Sequence, residues 1–333
     1  MGSPISTREM TLPLPQSRRL WFARTAIEWK QIYQELQSPD NLRAPSLVCC
    51  LADLSRLELL PGLFDKDLAT LVTLHGISKM IFEQRLCNVP NSFQESQNMI
   101  WDEHSHGKIS QMIQEVRQGF EINGYDVKHR LTLEFISMHH SSYIEHVELF
   151  AGKEGEDEAI MAHDLLVRWS ETKEARQAVW HAGQVVHAFV SLPPERLSEF
   201  SAVMLFHATL CIWIYGTLQP SSSNPSQPTH SNDQVLQPVI LDEEESLESQ
   251  KWVSLGRGFP SIKAVSSQQE FCLGTTNSSS LLVPLDRPAE TVRTTLQWLI
   301  RQFLEKDERL PQFVECIGRA MRALSQIRPS FSR

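Results

Sequence analysis

Histidines supply the first places where this chain could do chemistry. His104 and His106 form a His-x-His step beside Asp102 and Glu103, a donor set suited to a divalent metal. The surrounding segment is polar and reads as a loop, and no further ligand pair stands at a fixed spacing, so no metal is expected there. His139, His140, Glu145 and His146 lie close enough to share one helical face. The metalloprotease arrangement, two histidines separated by three residues around a glutamate, is nevertheless absent. His139 falls on the apolar face and is expected to be a hydrogen-bonded core histidine. Trp180 and His181 suggest a ligand contact, yet helical periodicity already accounts for both as packing residues.

Nucleophilic and phosphate chemistry leave fewer traces. There is no Gly-x-Ser-x-Gly elbow and no phosphate-cradling glycine loop. The two glycines of LGRGFP, residues 255–260, are expected to supply flexibility only. The six cysteines, Cys49, Cys50, Cys87, Cys211, Cys272 and Cys316, are scattered apart from one adjacent pair. Neither a zinc cluster nor a zinc finger can be built from them, because tetrahedral ligands must converge in closely spaced pairs. Lying in apolar segments, they are expected to be reduced thiols acting as small core hydrophobes. Asp242–Glu245, flanked by Leu241, Leu247 and Trp252, has the alternation of an acidic activation segment, although a solvated linker shares that composition. No residue is thereby named as catalytic, cofactor-binding, metal-binding or DNA-binding.

The elements that would carry these side chains read as helices. Helical spacing predicts segments at Trp21–Leu36, Leu47–Leu60 and Asp65–Leu86, with Pro61 and Gly62 stopping the second. A loop rich in Asn, Ser and Gln is expected at 90–104. The next helix carries Ile109, Met112, Ile113, Val116 and Phe120 on one face. Arg130–Phe150 reads as one helix, and another begins near Glu156, where acidic residues suit the positive end of the helix dipole. Trp169–Pro194 reads as a single helix with Ala175, Val179, Ala182, Val186 and Phe189 forming an inward stripe. Arg176 and Gln177 lie off that stripe, and Gly183 costs helix propensity unless a neighbouring helix must approach closely. After Pro193 and Pro194 comes an almost wholly apolar helix from Glu195 to Tyr215. Its longest apolar run, Ala202–Tyr215, is too short for a membrane helix of about 20 residues.

The words EARQAVWHAGQVV, the double proline and the apolar helix ending in IWIYG resemble the regulatory region of fungal transcription factors, the fungal-specific transcription factor domain. LPLPQSRRLWFARTAIEWKQIY, Leu12–Tyr33, is similar to that family's LPLP segment, Leu-Trp pair and Ala-x-x-Trp segment. In the family this region follows a zinc-dependent DNA-binding module, so zinc would belong to that module and not to these residues. The resemblance implies a nuclear regulatory or effector region controlling RNA polymerase II genes, such as a metabolic gene set. It would act through protein contacts: a second copy of itself, the transcription machinery, or ligand-responsive inhibition.

Composition agrees with a regulator that does not read DNA itself. With 333 residues, 41% hydrophobic content and a net charge of −9, the chain can build a core but lacks the clustered cations that phosphate contacts need. Residues 1–19 are polar and contain proline, unlike a secretory signal, so an intracellular place is expected. The expected fold is all-α, an array of roughly ten helices in antiparallel hairpins with a long disordered insert. A polar leader at 1–18 precedes a helical regulatory domain at 19–217. A Ser/Pro/Asn-rich, acidic and largely disordered insert spans 218–286, and a C-terminal helical pair at 287–327 packs back on the main domain. Two islands in the insert stand apart: residues 241–255 suit a short amphipathic helix, and 261–274 suit docking on the body. The alternative function is a helical scaffold or helical enzyme in which His139, Glu145 and His181 converge in an inter-helix pocket. No strict repeat period supports a solenoid.

Overall fold

Apolar residues recurring every three or four positions bury one stripe of a helix, and that pattern generates nearly every element here. The computed structural model describes residues 6–36, 44–59, 63–87, 95–124, 126–219, 237–264 and 282–327. The protein is predominantly all-α, with one small three-stranded sheet among the described residues. It divides into two compact units, Met1–Ile136 and Ser137–Arg333. Composition did not mark that division, which falls inside a helix where the expected layout has a continuous domain.

The first unit begins with a segment that the sequence presents as a leader. Leu14 is buried, its N–H donates to the Pro45 carbonyl at 2.8 Å, and Asp65 N–H donates to the Pro15 carbonyl at 2.9 Å. The leader is thus packed into the body from residue 7 onward, because alternate leucines and prolines suit an extended strip. Helices α1 (Arg18–Trp21) and α2 (Ala26–Leu36) replace the single expected helix, and α3 (Leu47–Ala52) and α4 (Arg56–Leu59) replace the next. The break before α4 lies at Asp53, whose extended backbone caps α3 and whose carboxylate accepts from Ser55 Oγ at 2.6 Å. Such local side-chain bonds compete with helix continuation.

Helix α5 (Lys66–Cys87) is capped by Asp65, which accepts from the Leu68 N–H at 3.0 Å. Helix α6 (Glu95–Asn123) starts well before the expected position. Residues 95–104 are helical in their backbone, since no proline or glycine follows Pro90 until Gly107; 90–94 lie outside the described residues. Leu74, Ile77 and Ile81 of α5 meet Ile109, Met112 and Val116 of α6, with Leu133 and Ile136 of α7 (Val127–Ser141) completing the core. Within this unit the buried Glu134 is held by Arg117 in a two-pronged ion pair at 2.5 and 3.2 Å. An unpaired carboxylate at that depth would be strongly unfavourable.

The second unit opens with the end of α7, and a break at Ser142 and Tyr143 separates it from α8 (Ile144–Phe150). Helix α9 (Glu156–Ser170) keeps Trp169, whose indole N–H donates to the Ser141 carbonyl at 3.1 Å. The next helix, α10 (Lys173–Ser191), therefore starts later than expected, at the Thr172 cap. Every residue of its expected stripe is buried, and so are Ala178, Trp180, Gln184 and Val185 on its other faces. Helix α11 (Glu199–Leu218) follows a Ser198 capping box and packs on α8, α10 and two C-terminal helices. By length and composition α11 could cross a membrane, but 72% of its most apolar window is buried inside the fold.

Those last helices, α13 (Pro288–Lys306) and α14 (Gln312–Leu324), form the expected pair lying against α11. Thr209 and Thr295 bond across the α11–α13 interface at 3.0 Å, and Gln302 donates to the Val190 carbonyl at 3.0 Å. The expected insert is described only in part, and the short helix expected within 241–255 is present in it. Residues 237–264 and 282–286 are ordered as β1 (Pro238–Ile240), α12 (Leu247–Leu255), β2 (Phe259–Lys263) and β3 (Leu282–Pro284). β2 is central, parallel to β1 and antiparallel to β3. The expectation for 220–236 and 265–281 falls outside the described residues.

Candidate functional site

The ordered part of the insert is positioned by side chains that helical periodicity alone does not single out. Gln184 Nε2 donates to the carbonyls of Leu241 at 2.8 Å and Glu243 at 2.6 Å, and His187 Nδ1 lies 3.0 Å from the Asp242 carbonyl. Arg176, off the apolar stripe, sends Nε to the Val253 carbonyl at 3.0 Å and so ties α12 to α10. Gly183 makes the approach possible: a Cβ there would stand 2.5 Å from the Leu241 carbonyl oxygen. Gly216 of α11 does the same for the chain after β3, where a Cβ would meet the Leu285 carbonyl oxygen at 1.9 Å. Two helix glycines thus seat two returning backbone segments. The close approach expected at Gly183 is real, but a turn makes it instead of a helix.

This arrangement ties down the start of the acidic run, while Glu244, Glu245 and Leu247 stay exposed. Leu241 and Trp252 are buried, and Trp252 packs edge-on against Tyr215 with ring centroids 6.0 Å apart. Asp242 is buried as well, accepting from the Lys263 N–H through both oxygens at 3.1 Å, while Lys263 Nζ pairs with Glu243 at 2.6 Å. Burial pushes the Asp242 carboxyl up to about 6 despite the Lys263 N–H contacts that favour its charge. The glycines of 255–260 also serve structure. Gly256 adopts the left-handed conformation at φ 70° that ends α12, and its N–H donates to the Trp252 carbonyl at 2.7 Å.

The histidines are arranged differently from a metal face. His139 Nε2 meets His207 Nδ1 of α11 at 3.0 Å, so one ring donates and the other accepts. Burial pulls the His207 imidazole below its ordinary range, opposed by Glu148 and Glu145. Glu148 stands 3.8 Å from His207 Nε2 and binds Lys153 at 2.5 Å. His146 turns its edge to Tyr143, and its Nδ1 is buried without a partner among the described residues. His181 is half-buried on α10, His106 is exposed, and the His104 side chain lies outside the described residues. Among the described residues no three His, Cys, Asp or Glu side chains converge as metal ligands. Sequence reasoning missed His207, because the partner of His139 comes from a helix 68 positions away.

Cysteines divide by depth. Cys50 and Cys211 are buried, and burial raises the Cys50 thiol to about 11. Cys49 and Cys316 are exposed instead of lying in the core, each falling on the solvent side of its helix.

A different kind of site appears on α1 and α2. Trp21 is 80% exposed, Phe22 74% and Ile27 73%, and α2 contains no buried residue. Trp29, partly exposed, stacks on Tyr33 with centroids 5.0 Å apart. A cleft of about 520 Å³ runs between the two helices, lined by Arg18, Arg19, Phe22, Glu28, Ile32 and Glu35. Arg19 and Glu35, both exposed, pair across it at 2.9 Å. Large apolar side chains thus stand in solvent beside a charged cleft. No protein-family model, curated protein or solved structure matches the chain.

Proposed function

We propose that this chain is the regulatory region of a fungal transcription factor, acting in the nucleus on RNA polymerase II genes through protein contacts made by α1 and α2. The observation that carries the reading is the exposure of Trp21, Phe22 and Ile27 within the LPLPQSRRLWFARTAIEWKQIY stretch. Large aromatic residues at a surface are the side chains that most often dominate protein–protein binding energy. The second stretch that resembles the family, EARQAVWHAGQVV through IWIYG, is the buried α10–α11 framework, which suits a role in holding the regulator together. Recruitment through the acidic run is not part of the proposal, since Leu241 and Trp252 are committed to the interior. Fusing the whole chain to a heterologous DNA-binding module upstream of a reporter tests the reading. The expected result is a change in reporter output that Trp21→Ser with Phe22→Ser abolishes. An inert fusion, or one indifferent to those substitutions at equal protein level, would overturn it.

A further inference from the structure

Where the end of α7 meets α11, two histidines face each other. His139 Nε2 stands 3.0 Å from His207 Nδ1, with the rings tilted by 31° and their centroids 5.2 Å apart. A contact of that length between two ring nitrogens needs an N–H on one side and a lone pair on the other. A neutral pair supplies both, and so does a pair carrying one positive charge. With two positive charges every ring nitrogen carries a hydrogen, so the facing nitrogens become two donors and the bond between them is lost. The link between the two helices therefore depends on how many protons the pair holds.

The surroundings set where a second proton leads. The His207 side chain is 19% exposed, and burial disfavours its charged form. Its other nitrogen, Nε2, already stands 3.8 Å from Glu148 Oε1, and Glu145 of the same helix also favours a charged ring. Lys153, bound to Glu148 at 2.5 Å, opposes it. His140 follows His139 on α7, while His146 of α8 is turned to Tyr143. Of the other helices packed on α11, α9 carries His163, bonded to Asp164, and α10 carries His187, held at the Asp242 carbonyl. Helix α13 meets α11 through the neutral Thr295, and α14 buries Val314, Ile317 and Met321. Glu148 is the carboxylate placed to receive a charged His207.

We propose that the His139–His207 pair is an acid-operated clamp: on taking a second proton from solvent the rings part, His207 turns to Glu148, and the last turn of α7 comes away from α11. The device is separate from the α1–α2 surface, and its test does not depend on the transcriptional reading. Amide exchange of the full chain at Met138, His139, His140 and Ser141, with nitrogen NMR of the histidine rings, tests it. Between about pH 7.5 and about pH 5 the protection of those amides, corrected for the intrinsic pH dependence of exchange, should fall about tenfold or more relative to α10. His207→Gln keeps a donor and an acceptor at the contact without a titrating ring, so its protection should stay level over the same range. Glu148→Gln removes the receiving carboxylate and should move the opening downward by about half a pH unit or more. Protection retained by the wild type at the acid end, an N–H···N bond still intact there, or a His207→Gln chain that opens as the wild type does would each overturn the proposal. If His207→Gln fails to fold, the ring signals of the wild type decide, because an intact bond at the acid end excludes the clamp and its loss together with α7 protection supports it.

Discussion

A Cβ at position 216 would stand 1.9 Å from the Leu285 carbonyl oxygen, and backbone cannot yield as a flexible side chain can. Gly216→Ala should therefore destabilise the chain by about 1–3 kcal/mol through overpacking. The loss should appear as a lower melting temperature with faster amide exchange around Leu285. Gly183→Ala should act similarly on Leu241, freeing the turn that Gln184 holds. Asp242 gives a pH signature. Burial raises its carboxyl from 3.8 to about 6, so between those values the folded chain holds a proton that the unfolded chain has released. Unfolding free energy from this group falls as pH rises through that window, and the cost is fully present above about 6. Relative to Asp242→Asn, the wild type should lose about 2 kcal/mol between pH 4 and pH 7, measured by urea titration at each pH. His207 contributes with opposite sign. Its depressed pKa gives stability that is complete above 6.5 and declines as the solution is acidified below that value. A gap between wild type and Asp242→Asn that is flat with pH would show that the carboxylate is solvated.

Elements differ in how openly their sequences announced them. The stripe Ala175, Val179, Ala182, Val186 and Phe189 predicts α10, and all five residues are buried, because amphipathic period is a local property. Helix breaks at Asp53 and at Ser142–Tyr143 were not legible, since the flanking apolar period continues across them. The strands escaped notice because β1 and β3 are three residues each and sit in Ser- and Pro-rich surroundings. Their pairing with β2 is what stabilises them. Of the candidate site, Trp21 and Phe22 were visible in the sequence as residues, but their exposure was not, since it depends on how α1 packs. Trp21→Ser with Phe22→Ser should accordingly shift stability by no more than about 0.5 kcal/mol, as at other exposed positions. Thermal unfolding of the double variant checks this separately from the reporter.

At the level of the whole molecule, charge governs the expected behaviour toward nucleic acid. A net charge of −9 opposes approach to a polyanion, and phosphate binding draws its free energy from cations that release counterions. The isolated chain should show no tight, sequence-dependent gel shift at physiological salt; observing one would contradict this charge argument. The sequence by itself determined the helical class, the burial of the α10–α11 pair and the C-terminal hairpin. These depend on periodicity, apolar content and proline placement over short spans. Only the tertiary structure decided that Leu241 rests on Gly183, that His139 meets His207, and that Thr70, Thr73 and His129 line one cavity. Each of those meetings joins residues from separate elements, and their proximity follows from how the helices pack, a property that no local window of sequence contains.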